Sequence, residues 1–147
     1  MTFEEGLSRM AALCSMSEHC ESEIREKLHK AAMSDDDIER IVARLYEEQY
    51  LDTGRYCRAF SRDRLRFAHW GRVKIQYALR TKGLPDADIR EALDELPEEE
   101  YREVLENLLE QKARTIRDKD DYTRRGKLVR FAAGRGFTMD EIFNALP

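Results

Sequence analysis

The chain has 147 residues, of which 41% are hydrophobic and 38% are charged. This length fits one domain or a few small units that share a core. No run of about 18 apolar residues is present, which excludes a transmembrane helix, and the acidic start is not a signal peptide. Low contents of Gly (7) and Pro (3) argue against a sheet-rich fold. We therefore expect an all-α protein in the cytoplasm.

Three scattered cysteines, Cys14, Cys20 and Cys57, do not form a disulfide framework, and an odd thiol count fits a reducing compartment. Their spacing to His19 and His29 does not match the close ligand pairs of a zinc site. The sequence also lacks the common nucleophile, metalloprotease and nucleotide-binding motifs. We predict no metal, no cofactor and no enzymatic activity.

Charge is strongly segregated along the chain. Residues 1–54 carry a net charge of −7, residues 55–82 of +8, residues 83–111 of −9 and residues 112–135 of +6, although the whole chain is only −4. Such asymmetry can mark a binding surface for a charged partner. The alternative is that acidic and basic blocks pair with one another across neighbouring helices.

Helical spacing of apolar residues predicts three helices before residue 50. The first presents Phe3, Leu7, Met10 and Leu13, and the second Ile24 and Leu28. The third begins after Ser34, a hydroxyl N-cap followed by three Asp, and buries Ile38, Ile41, Val42 and Leu45.

Six more helices follow. The fourth starts near Asp52, and its aromatic residues Tyr56, Phe60 and Phe67 lie on one side. The fifth carries Val73, Ile75 and Leu79 and ends at Gly83. The sixth follows Pro85 with Ile89, Leu93 and Leu96. The seventh has Pro97 at its first position and apolar residues as far as Ile116. The eighth covers about 121–134, and the ninth about 138–146 with Thr138 as N-cap.

An internal repeat organises these helices. Six positions recur at intervals of 51 and 53 residues, each a set of three: Ile24, Ile75 and Leu128; Ala32, Gly83 and Gly136; Met33, Leu84 and Phe137; Ser34, Pro85 and Thr138; Ile38, Ile89 and Ile142; Val42, Leu93 and Leu146. The sequence therefore predicts three tandem three-helix repeats, 1–50, 51–97 and 98–147, that form an elongated and curved array.

Basic residues concentrate on the fourth and fifth helices. Arg55, Arg58, Arg62 and Arg66 fall within one sector of about 80°, which we call the arginine stripe. We predict that this stripe and further basic residues bind an anionic partner; the full set is Arg55, Arg58, Arg62, Arg64, Arg66, Arg72, Lys74, Arg80, Lys82, Arg124, Arg125, Lys127 and Arg130. The alternative is a face neutralised by the acidic stretches 36–48 and 86–110. Trp70 could stack on a base, but we favour packing at the junction of the fourth and fifth helices.

The same region resembles the bacterial RecX family. The residues that carry the resemblance are Tyr50-Leu51-Asp52, Arg55-Tyr56, Phe60, Arg62, Arg64, Gly71, Ile75, Leu79 and Lys82-Gly83, with Glu23-Ile24 and Lys27-Leu28 in the first repeat. The resemblance implies a helical protein that binds the groove of the RecA recombinase filament and inhibits RecA in DNA recombination, repair and the SOS response. It also implies some contact with DNA, and we expect that contact to be weak because many relatives are basic whereas this chain has a pI near 5.5.

Two other functions remain open at this point. One is a stand-alone helical module that binds nucleic acid, and the other is a helical-repeat adaptor for another protein. We expect a monomer that does not bind membranes. Capping of filament ends, blocking of the groove and dissociation of the filament are equally compatible with the sequence.

Overall fold

A computed structural model describes all residues, 1–147, and contains nine α-helices and no strand. In chain order they are α1 (Phe3–Met16), α2 (Glu21–Lys30), α3 (Asp35–Glu47), α4 (Thr53–Ala68), α5 (Arg72–Thr81), α6 (Asp86–Asp94), α7 (Glu98–Ala113), α8 (Asp121–Gly134) and α9 (Met139–Ala145). None of them is long and apolar enough to cross a membrane. The predicted all-α fold of nine helices is confirmed.

Side-chain caps start five of the helices. The side chains of Thr2, Ser34, Asp52, Asp120 and Thr138 each accept a hydrogen bond from a backbone N–H in the first turn. These bonds satisfy donors that have no partner within the helix. The predicted caps Ser34 and Thr138 are therefore confirmed, whereas Pro97 occupies the N-cap of α7 and not its first helical position.

The internal repeat is visible in the structure. Ile24, Ile38, Ile75, Ile89 and Ile142 are at most 1% exposed, and Leu128 is 6% exposed. The turn of each repeat contains one residue with positive φ: Ala32 at 59°, Gly83 at 86° and Gly136 at 100°. The chain thus makes the same left-handed turn three times between a buried helix and the next one, as the alignment of small residues predicts.

The buried residues form two separate cores. Helices α1–α3 enclose one core around Ile24, Ile38 and Leu45, and helices α4–α9 enclose a continuous second core around Ile75, Leu105 and Ile142. The accessible surface is 9192 Å², compared with about 7,800 Å² expected for a compact protein of this mass. This excess agrees with an elongated arrangement, while the boundaries of the repeats at residues 51 and 98 stay a prediction.

Three apolar positions differ from expectation. Phe67 is 80% exposed and Val73 is 52% exposed, so neither anchors its helix in the core. The buried side of α4 is made instead by Tyr56, Cys57, Ser61 and Leu65, and a stripe that includes Cys and Ser is hard to distinguish from a polar face in sequence. Helix α7 ends at Ala113, so Ile116 packs on the core from the loop that follows.

A backbone joint links the second and third groups of helices. The N–H of Gly71 donates to the carbonyl of Arg135 at 2.8 Å, and the N–H of Val73 donates to that of Gly136 at 3.0 Å. The first turn of α5 is therefore capped by the turn between α8 and α9. A Cβ on Gly71 would collide with the Gly136 carbonyl, and one on Gly136 would collide with Lys74.

We predict that Gly71→Ala and Gly136→Ala each lower the free energy of unfolding by about 1–3 kcal/mol, because the backbone must move to admit the methyl group. Gly134→Ala is the matched control, since nothing lies within 4 Å of its new Cβ. Urea unfolding followed by circular dichroism measures all three. If the Gly71 and Gly134 variants were equally stable, the close approach of the Gly71 and Gly136 backbones would not be required for stability.

Candidate functional site: a cation–aromatic surface on helices α4 and α5

Three of the four residues of the arginine stripe face carboxylates. The Arg55 guanidinium lies 2.5 Å from Glu18, that of Arg66 lies 2.7 Å from Glu100, and that of Arg58 lies 4.0 Å from Glu95. Arg62 is exposed and has no carboxylate within ion-pair distance. The neutralising acids belong to α7, to the end of α6 and to the loop before α2, so the stretch 36–48 has no part in this neutralisation.

Arg72 and Arg124 hold structural positions. The Arg72 side chain donates to the carbonyl of Leu93 and to Glu98, and its guanidinium lies 4.0 Å from the centre of the Tyr101 ring. The Arg124 guanidinium donates to three backbone carbonyls, those of Ala113, Ile116 and Asp118. Arginines that satisfy backbone carbonyls in this way close the end of a helix and have few donors left for a partner.

Three more of the predicted binding residues are paired in the folded chain. Arg80 lies 3.0 Å from Asp86, Lys82 lies 3.2 Å from Glu23, and Lys127 pairs with Asp118. Surface pairs of this kind contribute little free energy each, but they reduce the positive potential that these side chains present. Among the cations of α4 and α5 predicted to bind a partner, only Arg62, Arg64 and Lys74 lack a carboxylate neighbour within 4.0 Å.

Arg64 and Lys74 flank two aromatic rings. The Arg64 guanidinium lies 4.6 Å from the centre of the Phe60 ring and 5.2 Å from that of Trp70, and the Lys74 ammonium lies 4.7 Å from the Trp70 ring. Phe60 and Trp70 meet edge to face at 6.4 Å. We call these four residues the cation–aromatic surface.

The rings hold both cations without neutralising them. A cation over an aromatic face gains electrostatic attraction to the ring while keeping its full charge. Trp70 and Phe60 are partly buried and pack on the large core, so they anchor the α4–α5 junction as predicted and also present the two cations. The sequence carries a signal for Arg64, because it follows Phe60 by four residues on the same helix. Trp70 precedes α5, so no helical spacing links it to Lys74.

The Glu23 carboxylate joins the first repeat to the second. Burial acts to raise its pKa, but hydrogen bonds from the Cys20 N–H and the Lys82 ammonium, at 3.0 and 3.2 Å, outweigh burial and lower the pKa of Glu23 overall. Burial raises the pKa of the Cys57 thiol to about 12. All three cysteines are free, and no group of three His, Cys, Asp or Glu lies in metal-binding proximity.

Fold and site together define an all-α repeat protein with a small, unneutralised cationic surface on its second repeat. Residues 54–93 match a family model described as RecX, second three-helix domain, and residues 98–146 match RecX, third three-helix domain. A relative named regulatory protein RecX, from Pelodictyon phaeoclathratiforme, is 32% identical over 134 residues, which are 91% of this chain and 82% of the relative. The chain belongs to the RecX family.

Other relatives are longer than the aligned region. The regulatory protein RecX of Prosthecochloris aestuarii is 38% identical over 91 residues, 62% of this chain and 60% of the relative, and that of Clostridium acetobutylicum is 30% identical over 95% of this chain and 66% of the relative. The chain thus spans about two thirds or less of those proteins.

Solved structures share the fold. A crystal structure of regulatory protein RecX superposes with a TM-score of 0.88 at 24% identity, covering 97% of this chain and 72% of that one. The structure of RecX from Lactobacillus salivarius gives a TM-score of 0.86 at 20% identity, covering 97% and 93%.

We predict that Glu23→Gln destabilises the protein at neutral pH and that its effect fades under acid. Glu23 has a folded pKa below its ordinary value of 4.5, so the stability it contributes is present above that value and is lost as pH falls through the folded pKa. The wild-type and variant free energies of unfolding should therefore converge as the pH falls below the folded pKa of Glu23.

Urea unfolding at several pH values provides the measurement. Glu91→Gln is the control, because Glu91 is exposed and has no ion pair, and its variant should match wild type throughout. A Glu23→Gln effect that does not change with pH would show that packing, and not the charge of the carboxylate, links the two repeats.

Proposed function

We propose that this protein regulates the RecA recombinase by docking on the RecA–DNA filament through the cation–aromatic surface. Membership of a family whose members are named regulatory proteins supports a regulatory role. The observation that carries the proposal is the pair Arg64 and Lys74, two cations held over Trp70 without a neutralising carboxylate.

The chemistry of the cation–aromatic surface suits an anionic partner of this kind. A filament of protein on DNA is polyanionic, and guanidinium groups form charge-assisted hydrogen bonds to phosphate and to carboxylate. Aromatic rings beneath the cations restrict their motion, so less conformational entropy is lost on binding. Arg62 lies two residues from Arg64 and therefore about 200° around α4, so it faces another side of the helix, and the paired arginines of the stripe contribute less.

Inhibition requires no catalytic step by this chain. Occupancy of the filament by a helical array suffices to hinder strand exchange and ATP hydrolysis, and no cofactor is needed. In this proposal the protein acts as a monomer in the cytoplasm, in DNA recombination, repair and the SOS response.

We predict that Arg64→Glu with Lys74→Glu weakens inhibition of the DNA-dependent RecA ATPase by at least about tenfold, because attraction becomes repulsion at the centre of the contact. The assay measures ATP hydrolysis by RecA on single-stranded DNA as the protein is titrated. Circular dichroism should show unchanged helix content, and inhibition by the wild type should fade as salt rises.

Arg9→Glu with Lys27→Glu is the matched control. Both residues are exposed, neither has an ion pair, and the change in net charge is the same. This control should inhibit like the wild type. Equal inhibition by the Arg64/Lys74 variant would refute the role of the surface, and absence of inhibition by the wild type would refute RecA as the target.

Direct binding of nucleic acid is the second candidate, favoured by the half-exposed Trp70 between two cations. Aromatic rings with flanking cations are the usual platform for single-stranded DNA. The two functions differ in an assay without RecA: direct binding should appear as a salt-sensitive rise in the anisotropy of labelled DNA. Weak or absent binding there, together with inhibition of RecA, favours docking on the filament.

A further inference from the structure

Side chains of α8 and α9 line an open groove that the proposed function does not use. It has a volume of about 490 Å³, and Tyr122, Val129 and Phe143 line it together with Arg125, Gly126 and Arg130. Tyr122 is 87% exposed and Phe143 is 48% exposed. A second depression adjoins it across Tyr122 and Arg125 and is lined by Leu128 and Leu146. The terminal repeat thus carries one apolar depression and, beside it, a second whose lining mixes Leu128 and Leu146 with charged side chains.

Two unneutralised arginines border the first depression. Arg125 and Arg130 are both exposed, and neither has a carboxylate within ion-pair distance. The Arg125 guanidinium lies 5.4 Å from the centre of the Phe143 ring, which keeps it at the edge of the groove. An apolar floor with cations at its edge complements a ligand that has apolar side chains next to negative charges.

Gly126 opens the floor of the groove. It lies inside α8, where Gly is less favourable than Ala, and the nearest atoms to a Cβ at this position belong to the flexible Arg130 side chain, at 3.4 Å and beyond. Packing therefore does not require glycine here. A larger side chain would occupy the depression itself.

The charges around the groove distinguish between two kinds of anion. Asp121 lines the adjoining depression, and Asp140 is exposed at the start of α9; neither forms an ion pair. A nucleic acid strand carries a charge at every residue, and a strand that crossed the adjoining depression would meet the Asp121 carboxylate. A peptide can place its acidic residues at Arg125 and Arg130 and its apolar residues in the first depression.

We propose that the α8–α9 groove binds an acidic protein segment in which apolar and acidic side chains alternate. This site is separate from the cation–aromatic surface and does not depend on RecA being the target. The apolar side chains of the segment enter the first depression, between Tyr122, Val129 and Phe143, and its carboxylates pair with Arg125 and Arg130.

The test uses the full chain and a fluorescein-labelled peptide in which Leu and Phe alternate with Glu, followed by anisotropy. Gly126→Leu fills the groove with a residue that favours the helix more than Gly does, so a loss of binding cannot be attributed to unfolding. We expect this variant, and separately Arg125→Glu with Arg130→Glu, to weaken peptide binding by at least about tenfold. Circular dichroism checks the fold of each.

Control variants and probes make the outcome decisive. Arg9→Glu with Lys27→Glu and Arg64→Glu with Lys74→Glu should bind the peptide like the wild type, so loss of the RecA effect and loss of peptide binding are separable. A peptide with Ser in place of Leu and Phe should bind poorly. Failure of the wild type to bind the peptide, or undiminished peptide binding by Gly126→Leu, overturns the proposal. The proposal is also overturned if oligo(dT) binds the wild type more tightly than the peptide does and this binding is lost in Gly126→Leu.

Discussion

The left-handed turn between the second and third helix of each repeat is the constraint on which the rest of the structure depends. Ala32, Gly83 and Gly136 all have positive φ, and this turn brings two short helices together so that each repeat can bury its isoleucines. Gly136 has a second role, because its carbonyl and that of Arg135 cap the start of α5. The turn of one repeat therefore determines where a helix of the preceding repeat begins.

That joint also positions the cation–aromatic surface. Trp70 directly precedes Gly71, whose N–H bonds the Arg135 carbonyl, and the Arg135 side chain donates in turn to the carbonyl of Ala68. The Trp70 N–H closes α4 by donating to the carbonyl of Arg64. Ring and cations thus rest on backbone that is hydrogen-bonded from both sides, and such rigidity reduces the entropy lost on binding. The joint between the first two repeats is different, since it depends on side chains such as Glu23 and Lys82.

Periodicity predicts this fold well because its strongest signals are local. Caps such as Ser34 and Thr138, the spacing of Ile75 and Ile89 and the small residue at each turn all act within one repeat. Helical spacing predicts Phe67 and Val73 in the core because apolar residues normally pack, yet both lie on exposed sides of their helices. The arginine stripe shows more clearly the limit of prediction from local sequence. Its neutralisation by Glu18, Glu95 and Glu100 depends on the packing of distant segments, which no local pattern reveals.

An acidic protein can bind an anionic partner if its acids and bases are arranged in space and not only in number. Glu18, Glu95 and Glu100 neutralise three of the four arginines of the stripe. Arg64 and Lys74 instead lie over the rings of Phe60 and Trp70 and have no carboxylate within ion-pair distance. Net charge governs long-range attraction, and salt at physiological strength screens it beyond about 8 Å. Within that distance the local potential decides, so a few unneutralised cations on a rigid aromatic support matter more than the total charge of −4. A cation beside an aromatic ring recurs at Arg125 and Phe143 in the terminal repeat, so the chain carries unneutralised cations next to rings at two separate places.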